Sequence, residues 1–405
     1  MGRRFCFLFS VIVGMFSCTA VKSPDFPDVA VLQSDVIPVP GEETPVFNGG
    51  FGSAVVWSAS DTCFYLLTDR GPNVDGQTPE SKVFVVPEFV PQIGKFRLCG
   101  DSLIRLETIL LRDTGGHLFD GLPNVGGDGA TGETAYDLNG NVICSGRRGI
   151  DTEGLALAPD GSFWVSDEYG PFILHFDKKG NLLDEISPFN GGLPSYFANR
   201  RPNRGMEGLT ISKDGKTLYG IMQSPLYLPD SRTKDDSRNL RLVKIDLETR
   251  RVQEYLYVLE DSRNMVSELC WLPNGMLLVL ERDGKFLGEG SVFKKVFRIS
   301  LIGATNISEN QEIELLDSAG LQNRNIYPVS KSLYCDISES IPGYPHDKPE
   351  GITMIGDSIL VVANDDDFGI TASEPADGKI YPKFIWGTDG RRDKNELYFI
   401  RISSR

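Results

Sequence analysis

A short pattern recurs along the chain and limits what it can fold into. Each copy has a polar residue, usually Glu, before a short apolar strand, then a tight turn, then a second strand that ends in polar or charged residues. The clearest copy is DTEGLALAPDGSFWVSDEYGPFILHFDKKG at 151–180, and further copies begin at Gly49, Gly205, Val266 and Lys348. Short strands between Gly-containing turns predict β-hairpins. Their irregularly spaced repetition is typical of radially repeated sheets, so the sequence predicts an all-β β-propeller.

The copies predict five clear blades, and the weakly patterned segment 306–345 leaves room for a sixth. The last blade, which ends in the strand at 396–402, lacks one strand. The strand-like segment at 29–39 can supply it, so that strands from both termini close the ring and remove exposed edges. We therefore expect residues 29–405 to form a single domain, with little helix because no long 3.6-residue periodicity is present.

The net charge of the chain excludes some classes of function. The 405 residues carry a formal net charge of −15, whereas a nucleic-acid-binding protein needs a basic surface. An acidic protein also repels anionic substrates unless a cation or an arginine cluster mediates the contact. We expect no nucleic-acid partner, a small anionic or ester substrate, and a monomer.

The N-terminus predicts export. Gly2, Arg3 and Arg4 precede an apolar stretch at 5–17 that is too short to span a bilayer, which indicates a signal peptide over residues 1–20. Cleavage before Cys18 would give a lipoprotein, and cleavage after Ala20 would release a soluble protein. The expected location is therefore the periplasm, the outer membrane through a lipid anchor at Cys18, or the extracellular space.

Four glutamates occupy the same register at the start of the innermost strands: Glu153, Glu207, Glu268 and Glu350. Propeller symmetry brings such residues together near the axis, where several carboxylates cannot all stay ionised without a counter-charge. Oxygen-only ligands favour Ca²⁺ or Mg²⁺ over zinc. The sequence therefore predicts a calcium site. The alternative is that each Glu binds backbone N–H groups of the neighbouring blade and only holds the ring together.

A second set of polar residues follows the next strand of each blade: Asp69-Arg70, Asp167-Glu168, Glu281-Arg282 and the run at 364–367. Because the second strand runs back to the same rim, we expect this set to face the glutamates. Asp365 is then a further candidate metal ligand, although an acidic run is often only a solvated turn. Arg70, Arg204 and Arg282, with Asp69, are candidates for binding a phosphate or carboxylate group.

Other catalytic templates are missing from the sequence. It contains no G-x-S-x-G, no H-E-x-x-H and no Walker loop. His117, His175 and His346 are scattered, and no cysteine has a convincing catalytic partner. Cys63 and Cys270 sit in or beside apolar strand positions and are expected to be buried as small hydrophobic residues.

The motifs resemble a known family. TDRGPN at 68–73, DTEGLALAPDGSFWVSDEYGP at 151–171, NRGMEGLTIS at 203–212, KPEGITM at 348–354 and ANDDDFG at 363–369 are similar to the phytase-like, "esterase-like activity of phytase" family of exported bacterial propellers. The resemblance implies a propeller and a hydrolase of phosphoesters or carboxylic esters. The chain departs from the pattern at Leu269, where Gly is expected after Glu268, and at Gln223, where a carboxylate is expected.

Three functions are consistent with these observations. The leading hypothesis is an exported, calcium-assisted hydrolase of phosphoesters, in which Glu207 or Asp167 activates water and Arg70 and Arg204 bind the anion. The second is a gluconolactonase-type lactonase, which this chain resembles in its Glu-Gly strand start. The third is a non-catalytic surface protein that binds a glycan or another protein.

Overall fold

A computed structural model describes residues 26–308, 310 and 312–402, without the side chains of 234 and 235. The predicted signal peptide and Cys18 lie outside the described residues. Among the residues that the structure covers, no helix is long and apolar enough to cross a membrane.

Short strands make up most of the secondary structure. In the first half of the chain they are β1 (Val29–Leu32), β2 (Val36–Ile37), β3 (Val46–Phe47), β4 (Ala54–Ser58), β5 (Cys63–Leu67), β6 (Asn73–Asp75), β7 (Ser81–Phe84), β8 (Gln92–Cys99), β9 (Ser102–Leu110), β10 (Thr134–Tyr136), β11 (Val142–Ile143), β12 (Thr152–Leu157), β13 (Phe163–Asp167), β14 (Phe172–Phe176) and β15 (Leu182–Ile186).

The second half continues in the same way. Its strands are β16 (Met206–Ile211), β17 (Thr217–Met222), β18 (Asn239–Asp246), β19 (Val252–Val258), β20 (Met265–Trp271), β21 (Leu277–Arg282), β22 (Lys294–Ser300), β23 (Ser330–Asp336), β24 (Pro349–Ile355), β25 (Ile359–Asn364), β26 (Ile370–Thr371), β27 (Tyr381–Pro382) and β28 (Glu396–Arg401). The helices are short, as expected: α1 (Thr233–Asp236), α2 (Ser318–Asn323), α3 (Ile337–Ser340) and 3₁₀ turns at Ser195–Asn199 and Asp367–Gly369.

The strands form five four-stranded units that we call blades 1 to 5. Blade 1 contains β4, β5, β8 and β9, and blades 2, 3 and 4 contain β12–β15, β16–β19 and β20–β23. Blade 5 contains β24, β25, β28 and β1. The innermost strands β4, β12, β16, β20 and β24 contact one another in that order, and β24 contacts β4 again. This closed order of sheets is a propeller-like β fold.

Glycines after the repeated glutamates let the innermost strands approach one another. A Cβ on Gly154 would lie 2.4 Å from the carbonyl oxygen of Glu207 in the next blade. One on Gly208 would lie 2.6 Å from the backbone nitrogen of Leu269. A β-bulge interrupts the pairing at this point in blades 2 to 5. The Glu-Gly repeat is therefore also a packing feature, because only glycine leaves room for the neighbouring backbone.

The two ends of the chain meet in blade 5. β1 pairs antiparallel with β28 and also runs parallel to β9 of blade 1. The prediction that an N-terminal strand completes the last blade is confirmed for Val29–Leu32. The segment 306–345, which left room for a sixth blade, instead supplies β23, the fourth strand of blade 4. Within the described residues no further four-stranded sheet joins the ring of innermost strands.

Inserts between blade strands form smaller units. Segments between β5 and β8 and between β9 and β12 form a sheet in the order β11-β10-β7-β6, and β26 pairs with β27 in an insert of blade 5. The two inserts meet where β6 contacts β26. Cys63 and Cys270 are buried, as expected, and none of the five cysteines in the described part of the chain forms a disulfide.

Candidate functional site

A cavity of about 620 Å³ lies where the innermost strands begin and the second strands end. Its charged walls are strongly acidic, with ten carboxylate residues and six cations. The acids are Asp69, Asp75, Glu133, Asp151, Glu153, Glu168, Glu207, Glu350, Asp365 and Asp367, and the cations are Arg70, Lys82, Arg201, Arg204, Arg282 and Lys348. A cavity with this excess of negative charge attracts cations.

The cavity collects most of the residues that the sequence singled out. Eight of the ten candidate residues line it: Asp69, Arg70, Glu153, Arg204, Glu207, Arg282, Glu350 and Asp365. Asp167 and Glu268 do not line it. The repeated pattern thus brings most of the candidate residues to one cavity, where the contacts of each residue differ.

Asp151, Glu153 and Glu168 form a compact group of carboxylates. One oxygen from each lies within 4.8 Å of the others, a spacing that suits a shared cation. Glu153 is only 9% exposed, and no lysine, arginine or amide of the described residues donates a hydrogen bond to its carboxylate. Burial, followed by the charges of Glu207 and Glu168, raises the pKa of Glu153 well above its usual value. Oxygen-only ligands of this kind fit a hard divalent cation.

Gln223 connects this group to Glu207. Its side-chain Nε2 donates hydrogen bonds to Glu168 Oε2 at 3.0 Å and to Glu207 Oε2 at 2.9 Å. The amide that departs from the family pattern therefore bridges two carboxylates from neighbouring blades. Burial and the nearby charge of Glu350 raise the pKa of Glu207, and the hydrogen bond from Gln223 opposes them.

Arg70 and Arg282 are both buried and both engaged with protein carboxylates. Arg70 Nη1 lies 3.0 Å from Glu133 Oε2, and its Nε lies 3.5 Å from Asp151 Oδ2. Arg282 forms an ion pair with Glu350 and donates to Ser267 Oγ at 2.8 Å. These arginines hold the acidic wall in place.

The acidic run at 364–367 separates into different roles. Asp365 lines the cavity. Lys348 Nζ lies 3.6 Å from Asp365 Oδ2 and 2.5 Å from Asp367 Oδ1. Asp366 turns away and accepts a hydrogen bond from the backbone of Gly50 at 2.9 Å. The run is therefore an ordered, largely buried part of the cavity wall and not a solvated turn, since Asp365 and Asp366 are buried.

Asp167 lies behind the cavity wall. Its Oδ1 accepts hydrogen bonds from the backbone nitrogens of Asp151 at 3.1 Å and Tyr169 at 2.8 Å. Burial raises the pKa of Asp167 to about 7, although the charge of Arg148 opposes this. This geometry fixes the backbone that carries Asp151.

Glu268 shows the alternative that the sequence left open for all four glutamates. Its Oε1 accepts hydrogen bonds from the backbone nitrogens of Leu209 at 3.0 Å and Leu269 at 2.8 Å. It thereby joins blade 4 to blade 3, while Glu153, Glu207 and Glu350 line the cavity. Burial raises the pKa of Glu268 well above its usual value.

Two arginines on the cavity wall differ from the rest. Arg201 and Arg204 are half-buried, and no carboxylate of the described residues lies within ion-pair distance of either. Arg204 Nη1 lies 3.9 Å from the sulfur of Met265. Burial and the neighbouring charge of Arg201 lower the pKa of Arg204.

The sequence pattern did not single out Asp151, Glu133, Arg201 or Lys348 as site residues. Asp151 stands two residues before Glu153 in the clearest repeat, so its position in the sequence could have indicated a site residue. Glu133 and Arg201 come from inserts outside the repeat, and only the tertiary structure brings them to the cavity.

A propeller-like β fold with one strongly acidic rim cavity defines the structural class of this protein. The family model described as "Phytase-like: Esterase-like activity of phytase" matches residues 47–368. The chain belongs to this family, as its motifs predicted. A protein of Arthroderma benhamiae named "Uncharacterized secreted protein" is 28% identical over 317 residues, which are 62% of this chain and 62% of that relative. The match thus spans less than two thirds of the relative's length.

Solved structures show only a distant likeness. An α-L-arabinofuranosidase from Podospora anserina has a TM-score of 0.40 at 9% identity, over 93% of this chain and 97% of that one. A protein from Lactobacillus plantarum has a TM-score of 0.37 at 14% identity, over 89% and 90%. A virginiamycin B lyase from Staphylococcus aureus has a TM-score of 0.32 at 10% identity, over 92% and 99%. At these scores the likeness carries no functional argument.

Proposed function

We propose that this protein is an exported hydrolase that cleaves phosphoesters with the help of a divalent cation, calcium by preference, bound in the rim cavity. The observation that carries the proposal is the cluster of three carboxylates from Asp151, Glu153 and Glu168. One oxygen of each lies within 4.8 Å of the others, on the wall of a cavity of about 620 Å³. Family membership and a relative named as secreted support the reaction class and the export.

The donor set fits such a cation. Of the three buried carboxylates, Asp151 has Arg70 within ion-pair distance and Glu168 accepts a hydrogen bond from Gln223. Glu153 receives no hydrogen bond from an arginine, lysine or amide of the described residues. Without a cation, burial and mutual repulsion favour the protonated forms of Glu153 and Glu168. A bound divalent cation would supply positive charge against the negative charge that builds up on a phosphoryl group.

Glu207 is the best placed residue to accept a proton from water. It lines the cavity, is nearly fully buried, and commits Oε2 to Gln223. Its Oε1 accepts no hydrogen bond from the described residues. Burial raises the pKa of Glu207 and makes its carboxylate a stronger base than an exposed one. A neighbouring cation would keep this carboxylate ionised and able to accept the proton. Asp167, whose Oδ1 fixes the backbone of Asp151, would act as a supporting residue instead.

The roles proposed for the other candidates follow from their partners. Arg70 and Arg282 would orient Asp151 and Glu350, while Asp69, Glu350 and Asp365 would complete the acidic wall around the cation. Glu268, on blade 4, would hold blades 3 and 4 together, since its carboxylate accepts a hydrogen bond from the backbone N–H of Leu209 on blade 3.

Calcium titration of the metal-free protein tests the proposal. We expect Glu153→Gln to weaken calcium binding by about tenfold or more, because it removes a charged ligand. Glu268→Gln is the matched control at the same register and should leave calcium affinity unchanged. Equal calcium affinity in the wild type and Glu153→Gln, or no calcium binding by the wild type, would contradict the metal site.

Hydrolysis assays then separate the three functions. Release of phosphate from p-nitrophenyl phosphate that stops with EDTA and returns with Ca²⁺ supports the phosphoesterase. Hydrolysis of lactones without phosphate release would favour a lactonase. Calcium binding with no activity on either substrate class would favour a binding protein.

A further inference from the structure

In the described part of the chain, one pair of cations on the cavity wall, Arg201 and Arg204, has no carboxylate within ion-pair distance. Every other cation of the cavity has a carboxylate partner: Arg70 with Glu133, Lys82 with Asp75, Arg282 with Glu350, and Lys348 with Asp367. Arg201 and Arg204 have none within ion-pair distance among the described residues. The cavity is acidic as a whole, so this pair is a local exception to its charge.

The two arginines are held side by side by a tight turn. The backbone nitrogen of Arg204 donates to the carbonyl of Arg201 at 3.1 Å, and Asn203 has a positive φ of 51°. Pro before a residue with positive φ, as in Pro202-Asn203, is typical of a type II turn. Asn203 Oδ1 also accepts a hydrogen bond from Arg70 Nη1 at 3.3 Å, which ties the turn to the acidic wall.

Two like charges in a partly buried position are costly unless an anion lies between them. Glu168 and Glu207 lie beyond ion-pair distance and compensate only in part, because the pKa of Arg204 remains lowered by burial and by Arg201. Guanidinium groups bind oxyanions through paired N–H donors, and two of them match the several oxygens of a phosphate.

We propose that Arg201 and Arg204 form the binding site for the phosphate group of the substrate, a dianionic phosphomonoester. This deepens the proposed function and rests on it for the reaction, but the binding itself requires no turnover. The carboxylate group that would hold the cation and the arginine turn that would hold the anion line the same cavity. A neutral lactone has no group that needs this pair.

Binding of inorganic phosphate and of glycerol phosphate, measured by isothermal titration calorimetry with the calcium-loaded protein, tests the proposal. We expect Arg201→Gln and Arg204→Gln each to weaken the binding of both ligands by about tenfold, and the double variant by about 100-fold. Arg147→Gln, which removes an exposed arginine outside this cavity, should have no effect. Calcium affinity of the arginine variants should be unchanged or slightly higher.

The outcomes are distinct from those of the metal test. Unchanged binding of both ligands in the double variant, or no binding of either by the wild type, would overturn the anion site even if calcium binds as proposed. Weakened binding of inorganic phosphate alone would assign the pair to free phosphate and overturn the substrate role. Arginine-dependent binding of both ligands without any hydrolysis would support the anion site and count against the hydrolase.

Discussion

Gln223 illustrates how a single side chain sets the charge of the cavity. Its amide donates to Glu168 and Glu207 from one nitrogen atom, so it stabilises two carboxylates without adding a third. A carboxylate at this position would offer no donor and would add a negative charge next to two others. The departure from the family pattern is therefore a compensation for crowded acids.

Gln223→Glu should destabilise the metal-free protein by about 1–3 kcal/mol, because it removes two hydrogen bonds and adds repulsion. Calcium should restore more stability to this variant than to the wild type, since an extra carboxylate strengthens cation binding. Thermal unfolding with and without calcium measures both effects. Gln77→Glu, at an exposed position, is the control. Equal stability of Gln223→Glu and wild type in EDTA would be inconsistent with the bridging role.

At the scale of elements, the insert between β22 and β23 is held to blade 3 by a fully buried arginine. Arg241 on β18 donates to Glu314 Oε1 at 2.6 Å and to Glu254 Oε2 at 3.0 Å. It also donates to the carbonyl of Asn310 at 2.9 Å. Glu314 and Asn310 belong to the insert, while Glu254 is on β19. The insert thus packs against the outer edge of blade 3 through this charge network and through apolar contacts of Leu256 with the insert.

Glu314→Gln should lower the free energy of unfolding by about 1–3 kcal/mol, because it leaves the buried guanidinium of Arg241 with one carboxylate fewer. We expect faster amide hydrogen exchange across residues 304–329, while the blades keep their protection. Glu312→Gln is a matched control, because the side chain of Glu312 is 83% exposed. Faster exchange spread evenly over all blades would argue against a local role for this network.

For the whole molecule, closure of the ring depends on β1. This strand lies between β28 and β9 and thus joins blade 5 to blade 1. Ala30 is completely buried at its centre. A ring that is closed by strands from the two ends of the chain leaves few open edges and resists splaying of the sheets.

Ala30→Asp should destabilise the protein by about 4 kcal/mol or more, since it buries an unpaired carboxylate in the closing strand. We also expect self-association, because β28 and β9 would expose unpaired edges. Thermal unfolding and size-exclusion chromatography measure these effects. Gln33→Asp adds the same charge at an exposed position of the adjoining segment and should behave as wild type. A monomeric Ala30→Asp protein of normal stability would show that closure does not depend on this strand.

The sequence by itself determined the repeated hairpins, the completion of the last blade by an N-terminal strand, and the register that brings most candidate residues to one cavity. These features follow from local patterns: alternation of apolar residues, turn residues, and Glu-Gly at one register. Eight of the ten candidate residues line the cavity for this reason. The fourth strand of blade 4 was missed because 306–329, an insert with its own packing, separates it from the repeat.

Only the tertiary structure decided which charges are paired. Glu153 and Glu268 share a register, but Glu268 lies against backbone N–H groups of blade 3, whereas Glu153 lines the cavity beside Asp151 and Glu168. Arg70 and Arg204 are both motif residues, but Glu133, from an insert, neutralises only Arg70. Local pattern places a side chain on a strand, whereas its charge state and role depend on groups that the fold brings near from distant parts of the chain.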